Sequence, residues 1–287
     1  VLFHEKLTLS LLVLCTILSC SKTNDKSGEK NEGPSATLKL SGSTTVSPFI
    51  QAAAPGFSNE NPGVEIVVSE GGSGVGIANL IDGTTDIAMS SRDIKESEKI
   101  KLEEKGTSLT EVKVADDALA IIINPVNPVK ELTREQLELI FTGQVSNWKE
   151  LGGNDSKIIP ISRETSSGTY DFFKEVVLNK KEFGKSTQFQ GASGGVVQQV
   201  STTEGSIGYV GLAFISDRVK ALPVSFENST FVTPSLENVK NKTYPVARPL
   251  FLYYTDTANK YSKSLVEFLL SDKGQEIAET SGYVSVK

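Results

Sequence analysis

Histidine and cysteine are almost missing from this 287-residue chain. The only histidine is His4, and the only cysteines are Cys15 and Cys20. The chain beyond them therefore offers no Cys/His zinc cluster, no Cys–His nucleophile and no Ser-His-Asp triad. A metal site built from carboxylates alone stays open, but we interpret the scattered aspartates as solvated or capping residues: Asp25, Asp116, Asp117 and Asp272. These absences favour binding over catalysis and predict no cofactor.

An excess of positive charge is also missing. The chain has 35 acidic and 29 basic residues, which gives a formal net charge of −6. Without a basic stripe along the sequence, we expect no nucleic-acid partner. An acidic protein can still bind a small anion, because local dipoles and one or two arginines decide the charge at a site.

The N-terminal segment predicts export and a membrane anchor. The apolar run Leu7–Leu18 is too short to span a bilayer and is typical of a signal peptide, which we assign to residues 1–19. The run ends in Ile17-Leu18-Ser19-Cys20, which resembles a bacterial lipobox, so we expect Cys20 to be lipidated. A plain signal peptide is the alternative. Residues 20–36 read as a flexible polar tether, and we expect an extracytoplasmic protein held on a membrane.

Small, hydroxyl-rich turns follow four predicted strands. The most informative is Arg163–Thr169, which follows the apolar strand 157–161 and precedes an amphipathic helix. The others are 41–48, 71–76 and 90–92. A helix start, with its free N–H groups and positive dipole end, follows three of the four and suits an oxyanion. Such a turn alone is often only a helix cap, but the pattern recurs four times and ligands collect at the carboxyl ends of strands, so we expect one shared anion site.

Strands and helices alternate over residues 37–287, which predicts an α/β fold. The predicted strands are 37–41, 64–69, 86–90, 118–124, 157–162, 206–210 and 249–254. A capping box of Thr133 and Gln136 predicts a helix start, and residues 262–280 predict a helix broken near Ser271. The long apolar strands at 117–124 and 244–251 either connect two lobes around a cleft or belong to the core of one domain, and the residues alone leave both open.

Several segments together resemble the phosphate-binding proteins of ABC-type high-affinity phosphate importers, the PstS type. The resemblance covers nearly the whole chain after the signal peptide. Its motifs are Ser41-Gly42-Ser43-Thr44-Thr45, Glu70–Gly74, Asp86–Arg92, Leu132–Gly143, Asn147-Trp148, Arg163–Thr169, Glu204–Val210 and Tyr244–Leu250. The Phe-Thr-Gly…Asn-Trp and Gly-Ser-Ile-Gly-Tyr segments are the specific ones.

The resemblance implies a two-lobed periplasmic-binding-protein fold of type II, with two crossover strands as a hinge. It places lobe 1 at 37–119 plus 248–287 and lobe 2 at 120–247. It further implies that the lobes close on one inorganic phosphate, as hydrogen phosphate, which is delivered to the transmembrane subunits of an ABC permease. The family also suggests a monomer.

The family's binding positions match particular residues of this chain. The first turn corresponds to Thr44 and Thr45, and the glycine-rich turn to Ser73. The arginine segment corresponds to the guanidinium, hydroxyls and amide of Arg163, Ser167, Gly168 and Thr169.

This sequence departs from the family at two positions. Many members have an aspartate at the position of Ser91, where it accepts the proton of hydrogen phosphate, and another at the position of Thr165. We include Ser91 and the adjacent Arg92 among the predicted phosphate-binding residues, although Arg92 alternatively pairs with Asp93 or Glu70. A serine adds no repulsion toward sulfate.

The alternatives are therefore the same scaffold binding another oxyanion such as sulfate, a surface lipoprotein with macromolecular partners, and a phosphomonoesterase that uses the same anion cradle.

Overall fold

The structure of the protein is a computed structural model that describes residues 35–226 and 230–287. The predicted signal peptide, Cys20 and the tether up to residue 34 lie outside the described residues. The first strand begins at Ala36, inside the predicted tether, because the Ala36 N–H donates to Gly63 O at 3.1 Å. Among the helices described, none has both the length and the apolar character that a bilayer crossing requires.

All seven predicted strands are present in the structure, and further short strands accompany them. The strands are β1 (Ala36–Gly42), β2 (Val64–Glu70), β3 (Ile87–Ser90), β4 (Leu109–Ile123), β5 (Leu132–Thr133), β6 (Ile159–Arg163), β7 (Gln188–Gln190), β8 (Ser206–Gly211), β9 (Lys220–Leu222), β10 (Val224–Ser225) and β11 (Ala247–Thr255). β4 starts nine residues before its predicted start at Ala118, because residues from Leu109 onward pair with β11.

The helices are α1 (Ser47–Glu60), α2 (Ser73–Ile81), α3 (Glu96–Glu104), α4 (Arg134–Phe141), α5 (Gly168–Val176), α6 (Ser193–Thr202), α7 (Leu236–Lys240), α8 (Tyr261–Leu270) and α9 (Asp272–Thr280). Two helix boundaries, the start of α4 and the start of α9, lie at capping residues that the sequence predicts. The predicted capping box forms at α4, where the Gln136 N–H donates to Thr133 Oγ1 at 3.2 Å. The predicted break is confirmed at Ser271, whose hydroxyl accepts from the Gly274 N–H at 3.1 Å and caps α9.

Most described strands belong to one continuous sheet in the order β2-β1-β3-β11-β4-β8-β6-β7, with β9 beside β4. β1 pairs in parallel with β2 and β3, and β6 pairs in parallel with β7 and β8. Between these groups, β11 runs antiparallel to both β3 and β4. The carboxyl ends of β1, β2, β3 and β6 are therefore the ends from which the hydroxyl-rich turns depart.

The two largest hydrophobic cores of the described residues lie toward opposite ends of the long strand β4. One is built on β1, α1, α8 and α9 and includes Leu38, Phe49 and Leu265. The other is built on α4, α5 and β8 and includes Phe141 and Tyr209. We call the part around the first core lobe 1 and the part around the second lobe 2.

β4 connects the lobes, because its residues Val114 and Ala115 lie in the core of lobe 1 and Leu119 and Ile121 lie in that of lobe 2. The protein is thus a two-lobed α/β fold. The predicted lobe boundaries at residues 119/120 and 247/248 fall on β4 and β11 and stay a prediction.

Candidate functional site

The turn after β1 places two hydroxyls inside the protein. Gly42 has φ of 129°, and a side-chain carbon there would overlap Met89 O at the end of β3, so glycine is required. The Ser43 N–H donates to the same Met89 O at 2.9 Å. Thr44 and Thr45 follow, both buried, immediately before α1. The local backbone therefore presents both threonines at the N-terminal end of a helix.

The turns after β2 and β3 meet each other through two serines. Ser73 begins α2 and is fully buried. Its hydroxyl accepts from the Ser91 N–H at 3.1 Å and lies 3.4 Å from Ser91 Oγ. Gly72, just before Ser73, has φ of 92°, and a Cβ there would be 2.6 Å from Ser166 O of lobe 2. The backbones of the two lobes thus approach each other closely at this point.

The arginine-containing turn contributes the start of α5. Ser167 caps the helix, because its hydroxyl accepts from the Thr169 N–H at 3.2 Å. Thr169 Oγ1 lies 3.1 Å from Thr45 Oγ1, across the cleft between the lobes. A Cβ added to Gly168 would lie 2.8 Å from Ser91 Oγ. Residues of both lobes therefore meet in one cluster.

The guanidinium of Arg163 lies beside these hydroxyls and is 1% exposed. It donates to Gln190 O at 3.0 Å, to Gly191 O at 2.7 Å and to Ser193 Oγ at 3.0 Å. Ser193 Oγ in turn lies 3.2 Å from Thr44 Oγ1. Burial lowers the pKa of Arg163 to about 10, so the group remains a cation at neutral pH. These contacts use three of the five N–H donors of a guanidinium and fix its plane.

Eight of the nine residues predicted to bind phosphate lie in this cluster or directly beside it. They are Thr44, Thr45, Ser73, Ser91, Arg163, Ser167, Gly168 and Thr169. Helices α1, α2, α5 and α6 all begin at the cluster, and each brings the positive end of its dipole to it. The expectation of one shared site is thus met geometrically, while direct contact of each residue with a ligand stays a prediction.

Arg92 is placed differently from the other predicted residues. Its guanidinium donates to Glu98 Oε2 at 2.9 Å and Oε1 at 2.7 Å, and its Nε lies 3.0 Å from Asp171 Oδ2. The predicted pairing with a carboxylate is present, but the partners are Glu98 and Asp171, and Asp93 contributes only its backbone oxygen. The structure directs this cation to carboxylates, which disfavours its assignment as an anion ligand.

Arg248 is a site residue that the sequence reasoning did not identify. It is 2% exposed, and its guanidinium donates to Ser91 O at 3.2 Å and to Thr45 Oγ1 at 3.4 Å. It also lies over the ring of Phe172, 5.5 Å from the centroid. The available signal was a charged residue within the apolar run of β11, which usually marks a buried group with a partner.

The partner of Arg248 is Asp117, which we interpreted wrongly as solvated or capping. Asp117 is completely buried in β4, and its Oδ2 lies 3.2 Å from Arg248 Nη2. Its other oxygen accepts from the Leu212 N–H at 3.1 Å. Burial raises the pKa of Asp117, and the positive charge of Arg248 with these hydrogen bonds opposes that rise.

Ser193 at the start of α6 was also missed. The sequence Gly191-Ala192-Ser193-Gly194-Gly195 after β7 is a fifth turn of small residues before a helix. This turn resembles the four hydroxyl-rich turns described above. It was missed because β7 is only three residues long, so no apolar run of ordinary strand length precedes the turn.

The charges of the site favour an anion. Arg163 and Arg248 are both buried, and the fully buried Asp117 pairs with Arg248, so these three side chains carry one excess positive charge. Glu164 and Glu70 interact electrostatically with Arg163 and partly offset this charge. A buried charge without a counter-charge costs free energy, and a bound anion would supply the counter-charge. The hydroxyls and helix N-termini add donors in the same cluster. Residues 35–226 and 230–287 contain no cluster of three acidic, histidine or cysteine side chains arranged to hold a metal.

Comparisons with known proteins agree with this geometry. A family model described as a PBP superfamily domain matches residues 27–273. The phosphate-binding protein PstS of Staphylococcus epidermidis is 32% identical over 285 residues, which cover 96% of this chain and 87% of that protein.

Two solved structures are similar over both lobes. A putative phosphate ABC transporter substrate-binding protein with bound phosphate from Clostridium perfringens is 39% identical, with a TM-score of 0.81, and the match covers 88% of this chain and 100% of that one. An ABC-type phosphate transport receptor from Vibrio cholerae is 31% identical, with a TM-score of 0.68 and coverage of 86% and 99%. Because these matches extend over nearly all of the described residues, the chain belongs to the PBP superfamily and, within it, to the PstS-type proteins.

Proposed function

We propose that this protein captures inorganic phosphate, as hydrogen phosphate, between its two lobes and delivers it to the transmembrane subunits of an ABC permease. The observation that carries the proposal is the convergence of four helix N-termini on a buried cluster of hydroxyls beside Arg163 and Arg248. The similar proteins from Staphylococcus epidermidis and Clostridium perfringens, which are named for phosphate binding and transport, support the choice of ligand.

The site fits a tetrahedral oxyanion because its donors come from several directions. Thr44 and Thr45 approach from lobe 1, and Gly168 and Thr169 approach from lobe 2. Arg163 provides the charge and a two-pronged, charge-assisted contact. A ligand held by both lobes stabilises the closed form, and its release requires that the lobes separate.

Hydrogen phosphate and sulfate have the same tetrahedral shape, and the main difference for this site is the proton that hydrogen phosphate carries and sulfate lacks. Ser91 Oγ is within 3.4 Å of Ser73 Oγ and offers a hydroxyl where a carboxylate would repel a fully ionised anion. Binding of another oxyanion such as sulfate is therefore the second candidate function, and the hydroxyl at position 91 is the observation that favours it.

In this proposal the protein is an extracytoplasmic monomer that binds its ligand without chemical turnover. Its lipidated Cys20 would serve as the anchor and residues 21–34 as the tether. The lipobox-like sequence that ends at Cys20 supports the anchor.

The test is a calorimetric titration of the full-length chain, purified in mild detergent and freed of ligand, with phosphate and then with sulfate at neutral pH. We expect tight one-to-one binding of phosphate, weak binding of sulfate, and no product from a phosphomonoester in the presence of Mg²⁺ or Zn²⁺. Comparable affinities for phosphate and sulfate would support a receptor role but would widen its ligand class to oxyanions in general. Binding of neither anion would overturn the proposal in favour of a surface lipoprotein with macromolecular partners.

A further inference from the structure

Arg92 forms an ion pair between the lobes instead of facing the hydroxyl cluster. It follows β3 of lobe 1, and its side chain is 8% exposed. Asp171, the partner of its Nε at 3.0 Å, belongs to the first turn of α5 in lobe 2. The same Asp171 oxygen lies 2.8 Å from Lys95 Nζ. One carboxylate of lobe 2 is thus held by two cations of lobe 1.

The position of Asp171 links this ion pair to the anion site. Gly168 and Thr169, which lie among the site hydroxyls, are on the same first turn of α5 as Asp171. A Cβ at Gly168 would be 3.1 Å from Arg92 Cγ, so the stem of the arginine packs directly against the start of α5. The helix cannot move away from lobe 1 without breaking these contacts.

Glu98 holds Arg92 in place for this role. It accepts two hydrogen bonds from the guanidinium and one from the Lys95 N–H at 2.8 Å, all within lobe 1. Burial opposes ionisation of Glu98, but the hydrogen bonds from Arg92 and Lys95 outweigh it and lower the pKa of the carboxyl. Arg92 is therefore fixed on lobe 1 whether or not Asp171 is near, and it presents its Nε toward lobe 2.

We propose that Arg92 and Asp171 form a latch that holds the lobes closed and sets the rate at which the anion is released. The proposal rests on the proposed function, because it assigns to Arg92 a role in retaining the ligand through closure instead of contacting it. The latch replaces the direct contact that the sequence reasoning considered for Arg92.

The latch is accessible to salt. A cavity of about 360 Å³ beside the anion site is lined by Arg92 and Asp171 of the latch, by Lys95, which also pairs with Asp171, and by Phe172 and Arg248. The side chain of Lys95 is 51% exposed, so ions reach the Asp171 end of the latch and screen it. Release of the anion should therefore become faster as NaCl is added, and this dependence should weaken when Asp171 is neutral.

The experiment compares Asp171→Asn, Arg92→Gln and the double variant with the unmodified full-length chain, using stopped-flow release of phosphate. We expect each single variant to raise the release rate by about tenfold with little change in association. The double variant should release phosphate no faster than Asp171→Asn alone, because Asp171→Asn already removes the contacts of this carboxylate with both Arg92 and Lys95. Glu182→Gln is the matched control, because it removes a carboxylate that pairs with Lys174 at 2.6 Å within lobe 2.

A release rate of Asp171→Asn equal to that of the unmodified chain would overturn the latch. The latch would also be overturned if Arg92→Gln raised the phosphate release rate far more than Asp171→Asn did and the two effects added in the double variant. That result would favour direct contact of Arg92 with the anion. Small-angle scattering of the ligand-free proteins separates these results from failure of the proposed function. If the unmodified chain bound no phosphate but Asp171→Asn made the ligand-free protein more open, the proposed function would be overturned and the latch would be supported.

Discussion

At the scale of single residues, Arg248 and Asp117 determine how the site keeps its shape. Arg248 holds the backbone oxygen of Ser91 and the hydroxyl of Thr45, and Asp117 holds Arg248. Tyr283 adds a further restraint by donating to Thr45 O at 2.7 Å. The buried pair therefore connects β4 and β11 to the two turns of lobe 1 that present hydroxyls to the ligand.

Replacing Asp117 by Asn should destabilise the protein strongly. The change leaves the guanidinium of Arg248 buried without a counter-charge, and removal of one partner of a buried pair costs about 3–5 kcal/mol. The measurement is the free energy of unfolding from urea denaturation. Asp82→Asn is the control, because Asp82 pairs with Lys105 at 3.5 Å on an exposed surface and should change stability by less than about 0.5 kcal/mol. A loss below about 1 kcal/mol for Asp117→Asn would contradict this account of the pair.

At the scale of secondary-structure elements, the starts of α5 and α6 make the site by close approach. α5 brings Gly168 against the serines of lobe 1, and α6 brings Ser193 to Arg163 and Thr44. Both helices begin with small residues, but for different reasons. At Gly168 there is no room for a Cβ, because it would overlap Ser73 Oγ and Ser91 Oγ, whereas a Cβ at Gly194 would meet no atom within 4 Å.

This difference predicts opposite outcomes for two alanine substitutions. Gly168→Ala places a methyl group into Ser73 Oγ and Ser91 Oγ, so the lobes cannot close fully, and we expect the phosphate affinity to fall by more than about tenfold. Gly194→Ala, also in the first turn of a helix, should leave the affinity within about twofold. Calorimetry measures both. Equal affinities for the two variants would show that the close approach at Gly168 does not matter for binding.

The features that were predicted from the sequence depend on residues that are adjacent in the chain, whereas the contacts that were missed join residues that are distant in the chain. The turns after β1, β2 and β6 were found because glycine, hydroxyls and helix starts stand next to each other in the chain. The pairs Arg92–Asp171 and Arg248–Asp117 were missed because the partners are distant in sequence and approach only through the fold. The Arg248–Asp117 contact depends on the pairing of β11 with β4, and the Arg92–Asp171 contact depends on the approach of α5 to the turn after β3. No local pattern reveals either of them.

At the scale of the whole molecule, the described form is closed. Direct contacts cross between the lobes at Thr45 and Thr169, at Thr44 and Ser193, and from the Gly74 N–H to Ser166 O at 2.9 Å. The lobes are otherwise built on separate cores, connected by β4 and β11. This arrangement provides a hinge at the two strands and a set of breakable contacts on the opposite side.

We expect the ligand-free protein to open at this hinge. In small-angle scattering, the folded part with phosphate should have a radius of gyration near ~18 Å, as for a compact globule of its length, and a larger value after phosphate is removed. Addition of an anion that does not bind serves as the control for ionic strength. Identical scattering curves with and without phosphate would mean that the lobes do not move apart.

The order of the strands also has a consequence for how the chain folds as it is synthesised. The core of lobe 1 combines Leu38 and Leu40 from the first strand with Leu265, Leu269 and Tyr283 from the last helices and the segment after them. Contacts between such distant parts form late, since the intervening chain must first be made and its loop closed. A nascent chain leaving the ribosome therefore lacks the strand β11 that β3 needs until synthesis is nearly complete. We expect lobe 1 to stay unfolded until then, which suits the export that the predicted signal peptide implies, because an exported chain passes through a translocation channel before it folds.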